Sequence, residues 1–341
     1  MLLLDTSWEV CVSGLVLITV FEDVQKMKNA SVFLVVSVLT LSALQNAYGF
    51  SGQGSGTEQD PYIITNVAQL LEMNNDLDAW YELGNDIDAS DTKNWNSGAG
   101  FVPIGWGIDT FRGTFDGQGH KITGLFINMH TMSIGLFNAT GSGAIVKNVG
   151  LVDVNLTGID YVGGLTGSNY GAITNSYVTG RVSGDLRIGG LVGWNSNSGA
   201  ITNSYATASV TGSDYVGGLV GVNSGAITNS YATGRVTGYY LVGGLIGYNE
   251  GGTITSSYWD TETSGQSTSD GGTGKTTVEM QTLSTFVRAG WDFGTPIWVY
   301  YTNGYPRLAW EPTLPTGDLN HDKVVNFLDF AILAEHWLEG I

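Results

Sequence analysis

The residues best equipped for chemistry lie near the C-terminus. Asp318-Leu319-Asn320-His321-Asp322-Lys323-Val324-Val325-Asn326-Phe327-Leu328-Asp329 carries oxygen side chains at positions 1, 3, 5, 9 and 12 of a 12-residue loop. Position 7, Val324, offers its backbone carbonyl. A hard cation such as calcium gathers roughly six to eight oxygen ligands from a loop of this design. Asp318, Asn320, Asp322, Val324, Asn326 and Asp329 are therefore the candidate calcium ligands. Lys323 stands where glycine would ease the sharp turn, and Asp329 is one methylene shorter than the usual glutamate; both weaken affinity. A helix is expected next, with Leu328, Ala331, Ile332 and Trp337 on its apolar stripe. An acidic surface turn ahead of a helix is the plainer reading of the same residues.

Other reactive residues are scattered. Asp116-Gly-Gln-Gly-His120 places an acid four residues from a histidine, but Asp-Gly between Phe115 and Ile122 is first of all a turn. Asp86, Asp88 and Asp91 could gather a cation or act as paired carboxylates; acids on a surface loop are the commoner case. His130 has no second histidine at ligand spacing, and the chain has no His-Glu-x-x-His. Glycine runs such as Val216-Gly-Gly-Leu219 lack the Lys-Ser/Thr of a phosphate loop.

The elements that must position these residues show in the composition. Of 341 residues 50 are glycine, 42% are hydrophobic and 13% are charged. Glycine, serine, threonine and asparagine mixed with β-branched and aromatic residues describe many short strands joined by tight turns. The net charge of −18 disfavours nucleic acid and anionic membrane surfaces as partners. The only cysteine is Cys11, so no disulfide framework, thiolate zinc site or cysteine nucleophile is expected in the mature chain.

Cys11 precedes an export signal. Met27-Lys28-Asn29 is followed by an apolar run from Ser31 to Leu44 and by small residues at Ala47 and Gly49. That order reads as a signal peptide with cleavage before Phe50 and translation starting at Met27; the alternative, an uncleaved membrane anchor, is opposed by an apolar run of about 14 residues, short for a span.

An internal repeat dominates the mature chain. Val162-Gly-Gly-Leu-Thr-Gly167 recurs from Ile188, Val216 and Val242, at intervals of 26, 28 and 26 residues. Ala172-Ile-Thr-Asn-Ser-Tyr177 recurs in step from Ala200, Ala226 and Thr253. Such a period fits one coil of a parallel β-helix-like solenoid, mostly β in class; propeller blades are longer, and glycine and β-branched residues oppose helical repeats. Stacked coils would build an internal ladder of Leu165, Leu191, Leu219 and Leu245. Asn175, Asn203 and Asn229 would form an amide ladder, and Tyr177, Tyr205, Tyr231 and Tyr258 an aromatic one. Ile173, Asn175 and Tyr177 share one parity yet differ in polarity, which places a turn or bulge near Asn175-Ser176. Thr65 to Met73 has helical spacing and reads as part of an N-terminal cap.

The chain then divides into 1–49 (upstream segment plus signal peptide), 50–130 (cap and first coils), 131–258 (repeats), 259–311 (closing region), 312–316 (linker) and 317–341 (cation loop and helix). Residues 260–276 read as a Ser/Thr/Gly loop, and Trp291 to Trp310 as an aromatic closing layer.

The Val/Ile-Gly-Gly-Leu-x-Gly blocks, with Ile-Thr-Asn-Ser-Tyr after them, resemble the GLUG repeat family of bacterial surface and secreted proteins. Phe101-Val-Pro-Ile-Gly105 and Phe111-Arg-Gly-Thr-Phe-Asp-Gly-Gln-Gly-His120 resemble the segment that often precedes those repeats. The likeness spans roughly 60–310. GLUG repeats accompany adhesin-like proteins and the catalytic domain of immunoglobulin A peptidases; nothing here matches that domain, so an accessory role is implied. Gly317 to Leu338 resembles one half of a type I dockerin, a calcium-binding module that docks to cohesins. With one half present, anchoring or sorting is an equal reading. The expected protein is thus a secreted or cell-surface adhesin-like or structural module, docked through a calcium-binding tail to a cohesin-like or cell-envelope protein. A polysaccharide or host surface is the expected ligand. The alternative is a polysaccharide-active β-helix lyase or hydrolase of a dockerin-bearing system. Repetition opposes catalysis, because a site needs unique residues.

Overall fold

Each repeat makes one turn of a parallel coil. The computed structural model describes residues 49–107, 109–295 and 297–311. The export signal and the candidate calcium loop with its helix lie outside the described residues. Residues 214–237 show the design: strands Asp214–Gly217, Val220–Asn223, Ala226–Thr228, Tyr231–Ala232 and Val236–Thr237 follow one another around the coil. Each pairs in parallel with its counterparts one repeat away, as in Ile188↔Val216↔Val242 and in Ile201↔Ile227↔Ile254. Stacking builds four parallel sheets of five, five, eight and eleven strands. They are numbered first to fourth in the order in which Asp214, Val220, Ala226 and Tyr231 enter them. This is the solenoid that the 26–28-residue period requires.

The inside of the coil is a continuous apolar column. Leu165, Leu191, Leu219 and Leu245 are fully buried, and their backbones bond from coil to coil at 2.8–2.9 Å. Beside them run Val162, Ile188 and Val216, and Ile173, Ile201 and Ile227, all without exposure. Each such burial contributes about 2 kcal/mol.

The glycines are explained by close approach. A Cβ on Gly217 would lie 2.7 Å from the Gly247 nitrogen, and one on Gly218 would run into the Gly244 carbonyl oxygen of the next coil. One on Gly221 would meet the Arg187 carbonyl carbon at 2.6 Å. The first and second sheets touch backbone to backbone here, and no side chain fits between them.

The polarity switch in Ile-Thr-Asn-Ser-Tyr is a corner. Asn148, Asn175, Asn203 and Asn229 all have left-handed backbones, φ 48–54°, a conformation asparagine tolerates better than most residues. The side chains stack: Asn175 donates to Asn148 at 3.1 Å and Asn203 to Asn175 at 3.2 Å. A second amide ladder lies inside the coil, unseen in the sequence. Asn169 donates to Asn195, Asn195 to Asn223 and Asn223 to Asn249, at 2.8, 2.8 and 2.9 Å.

The tyrosine ladder forms on the flank of the fourth sheet. Tyr177, Tyr205 and Tyr231 stack at 4.9 and 4.8 Å with nearly parallel rings, the spacing of neighbouring strands. Residues 277–311 cover them: Trp310 stacks on Tyr177, Trp298 packs on Tyr205 and Tyr231, and Phe286 meets Tyr258 edge-on. The Tyr205 hydroxyl donates to the Glu311 carboxylate at 3.0 Å, and that of Tyr231 to the Pro306 carbonyl at 2.7 Å. The aromatic segment thus lies along the side of the coils. The end is covered instead by the stretch that reads as a loop. Leu245 and Ile246 donate backbone N–H groups to the Ser269 hydroxyl, and Thr273–Lys275 adds a strand beside Tyr258–Asp260. At the other end the helix Val67–Glu72 starts at Asn66, whose side chain accepts from the Gln69 N–H at 3.0 Å. It buries Leu70 next to the first strands.

The packing can be tested at two places. Leu219→Ala leaves a cavity that neighbouring coils cannot close, and should cost about 2–5 kcal/mol by denaturant unfolding; an unchanged midpoint would contradict the stacked core. Burial raises the Tyr205 and Tyr231 phenols well above their ordinary value. Their contribution to stability is therefore complete below about pH 10, the unfolded phenol value, and is lost as pH rises further. Phenolate absorbance of these residues should appear together with loss of near-ultraviolet dichroism, not before it.

Candidate functional site

Of the residues singled out as reactive, the described ones form no common cluster, and only Asp86 and His120 meet. Asp116 accepts from the Asn148 amide at 3.0 Å and pairs with Lys147 at 3.1 Å. His120 pairs instead with Asp86, at 3.1 Å. Asp88 caps the Ser90 N–H, Asp91 accepts from Asn94, and His130 is exposed. Among the described residues, no three His, Cys, Asp or Glu side chains are grouped to hold a metal.

What the fold does assemble is an aromatic face on the outside of the first and second sheets. Register places Ala139, Ser168, Trp194, Val222 and Tyr248 in one column up the second sheet. In the first sheet Ser133, Tyr161, Arg187, Tyr215 and Leu241 occupy equivalent positions, each with a left-handed backbone of φ 51–64°. A left-handed residue interrupts the strand's alternation, so these side chains leave the coil beside the second column. Each such residue costs roughly 1–2 kcal/mol, and the coil repeats the cost five times.

The two columns interlock. Trp194 lies 6.0 Å from the Tyr161 ring and 5.3 Å from that of Tyr170, edge-on to the latter. Tyr215 meets Tyr248 at 5.9 Å and Tyr240 at 6.3 Å. The Arg187 guanidinium sits 4.0 Å over the Tyr161 ring and donates in two bonds to the buried Asp160, one of them 2.8 Å. Asp160 holds Arg187 charged, above even its ordinary range, and neutralises it locally.

At the N-terminal end the face opens into a cleft of about 380 Å³ lined by Trp106, Gly107, Asp109 and Thr110 and by residues of the first two sheets. Trp106 and Met132 flank it, 40% and 61% exposed. Asp109, Thr110, Ser133 and Asn138 supply polar atoms, and Ser168 and Tyr170 join it to the aromatic columns. Asn138 is itself held by a 2.9 Å bond to the Gly105 carbonyl. Every exposed aromatic among the described residues, Trp106, Tyr239, Tyr240 and Tyr248, lies on this face or at its corner. Rigid rings beside fixed polar groups can stack on the apolar side of a ligand and bond its polar rim. Sequence reasoning misses the face because periodicity singles out repeated positions. The residues of the face occupy the variable places on either side of Val-Gly-Gly-Leu-x-Gly.

Fold and face together define a parallel β-solenoid with a repeated interior and a variable outer surface. Three successive coils, residues 160–183, 184–211 and 212–237, match the GLUG motif. Halomucin of Haloquadratum walsbyi is 38% identical over 151 residues, 41% of this chain and 2% of that protein. A protein of Evansella cellulosilytica described as a Gly-rich membrane protein is 35% identical over 150 residues, 42% of this chain and 17% of the other. The chain therefore corresponds to a small part of either relative. Among solved structures, a Bacteroides ovatus protein assigned as an immunoglobulin A1 protease superposes with a TM-score of 0.62. It is 24% identical and aligned over 76% of this chain and 95% of its own, a likeness of fold.

Accessibility of the face is directly measurable. N-bromosuccinimide should oxidise Trp106 first and Trp291 and Trp298 last, as peptide mass spectrometry would map. Early loss of Trp298 would mean that the flanking segment does not cover the tyrosines.

Proposed function

We propose that this chain is an exported repeat protein of the cell surface or extracellular space, in which the solenoid is a structural and binding module. The observation that carries the reading is the division of each coil into repeated interior positions and a varied, outward aromatic face. A scaffold that displays a surface needs that division. The GLUG matches and the likeness to halomucin and to a Gly-rich membrane protein support the surface location. Export would use the apolar segment ahead of Ala47, with cleavage before Phe50.

Attachment would run through the tail. Asp318, Asp322 and Asp329 bring three carboxylates into one loop, where they repel unless a cation lies among them. Calcium would be held by these three, by Asn320 and Asn326, and by the Val324 carbonyl. Its charge would fix the start of the following helix, which alone is too short to be stable. That helix would present Trp337 and its apolar stripe to a cohesin-like or cell-envelope protein.

Fractionation of producing cells tests both halves. The protein should be found outside the cytoplasm with Phe50 as its N-terminus, and a calcium chelator or Asp318→Ala with Asp322→Ala should release it to the medium. Cytoplasmic protein retaining the export segment would reject the location. Surface retention indifferent to chelator and to both substitutions would reject the calcium tether.

A further inference from the structure

We infer that the aromatic face and its cleft form a binding track for an extended, neutral polysaccharide lying along the solenoid axis. The inference rests on the surface reading only for where the ligand would be met. Three features of the face converge on this class of ligand.

The first is chemical. A pyranose ring has an apolar C–H side and a rim of hydroxyls. Trp106, Trp194 and Tyr248 offer ring faces or edges to the former, and Asp109, Thr110 and Ser133 offer polar atoms to the latter. Tyrosine and tryptophan give this contact area at low entropic cost, since each is ordered by two torsions and is already packed by its neighbours.

The second is spacing. Stations on the face repeat with the rise of the coil, about 4.8 Å. That is close to the length of one sugar in an extended β-linked chain. Trp194 and Tyr248 stand in the same column two coils apart, with the buried Val222 between them. Two rises of the coil, roughly 9.6 Å, match two sugars, so both rings meet the same side of a chain whose rings alternate.

The third is charge. The overall balance of −18 repels polyanions. Arg187, the cation within the columns, is bound by Asp160 and covered by Tyr161. Asp109 adds a negative charge inside the cleft. A uronate or sulfated polymer is thereby disfavoured, as is nucleic acid; a neutral chain meets no such barrier.

The experiment uses the full secreted chain in affinity electrophoresis and calorimetry. The probes are soluble β-glucan, xylan and mannan, with polygalacturonate and a proline-rich peptide as comparators. Binding of at least one neutral glycan is expected, tightening with oligosaccharide length. Trp106→Ala should leave the melting temperature unchanged and Tyr248→Ala should lower it only slightly, through loss of the Tyr215 contact; each should weaken binding roughly tenfold. Trp194→Ala should weaken it at least as much, and is interpreted only if its melting temperature is retained. No affinity for any neutral glycan overturns the proposal, as does a preference for polygalacturonate or for the peptide, or affinity untouched by Tyr248→Ala and Trp106→Ala together. A chain that binds glycan but stays in the cytoplasm would sink the surface reading and leave the track. A surface chain blind to glycan would do the reverse.

Discussion

The whole architecture depends on two sheets meeting backbone to backbone. At Gly217, Gly218 and Gly221 the space that a side chain would need is taken by the main chain of the neighbouring coil. None of these three glycines has a left-handed backbone, so conformational freedom is not the reason for them. Contact of this kind fixes the path of the chain within one coil and its offset from the next. A coil that cannot shift relative to its neighbour must place equivalent residues above one another. The leucine, asparagine and tyrosine ladders are consequences of that constraint.

Ladders of identical residues impose chemical conditions of their own. Leucine and isoleucine meet them by shape. An amide meets them because it donates and accepts at once, which lets Asn169, Asn195, Asn223 and Asn249 bond in series along the inner side of the coil. A phenol meets only half of the requirement, since its ring stacks but its hydroxyl needs a partner. The segment 277–311 supplies those partners, with Glu311 for Tyr205 and the Pro306 carbonyl for Tyr231. The flanking layer is therefore tied to the solenoid by the polar ends of the tyrosines as well as by aromatic area. The Glu311 carboxylate also accepts from the Leu308 N–H at 2.8 Å, so backbone and phenol hold it together.

How much of this was legible in the sequence depends on the range of each interaction. The period, the buried Leu219 ladder and the corner at Asn175 are local or strictly repeated, and they could be read. Inner asparagines escaped because a single polar residue after Gly-x carries no apolar signal; only stacking makes it self-sufficient. Residues 260–276 looked like a loop because a terminal coil has a neighbour on one side only and needs half the usual apolar pattern. Asp116 and His120 looked paired by spacing, yet each found a partner from another coil, Lys147 and Asp86, that no local reading can supply. The proposed calcium ligands from Asp318 to Asp329 lie outside the described residues, so loop spacing is what supports them. The outer aromatic face was invisible for a different reason: its residues vary.

That variation is itself informative. Along the first sheet the backbone is held left-handed at Ser133, Tyr161, Arg187, Tyr215 and Leu241, whatever side chain is present. Serine, arginine and leucine have little in common that would favour the conformation, so the coil enforces it and absorbs the strain. Geometry is thus constant where chemistry changes. Inside the coil the reverse holds, because replacing one leucine or asparagine would break contacts with the coils above and below. The outward positions tolerate different side chains, and there five consecutive coils carry rings, a paired cation, aliphatic residues and small polar ones, several of which touch the next coil. The exposed rings Trp106, Tyr240 and Tyr248 belong to this outward surface, which opens onto the cleft, and it is there that the proposed glycan would meet them.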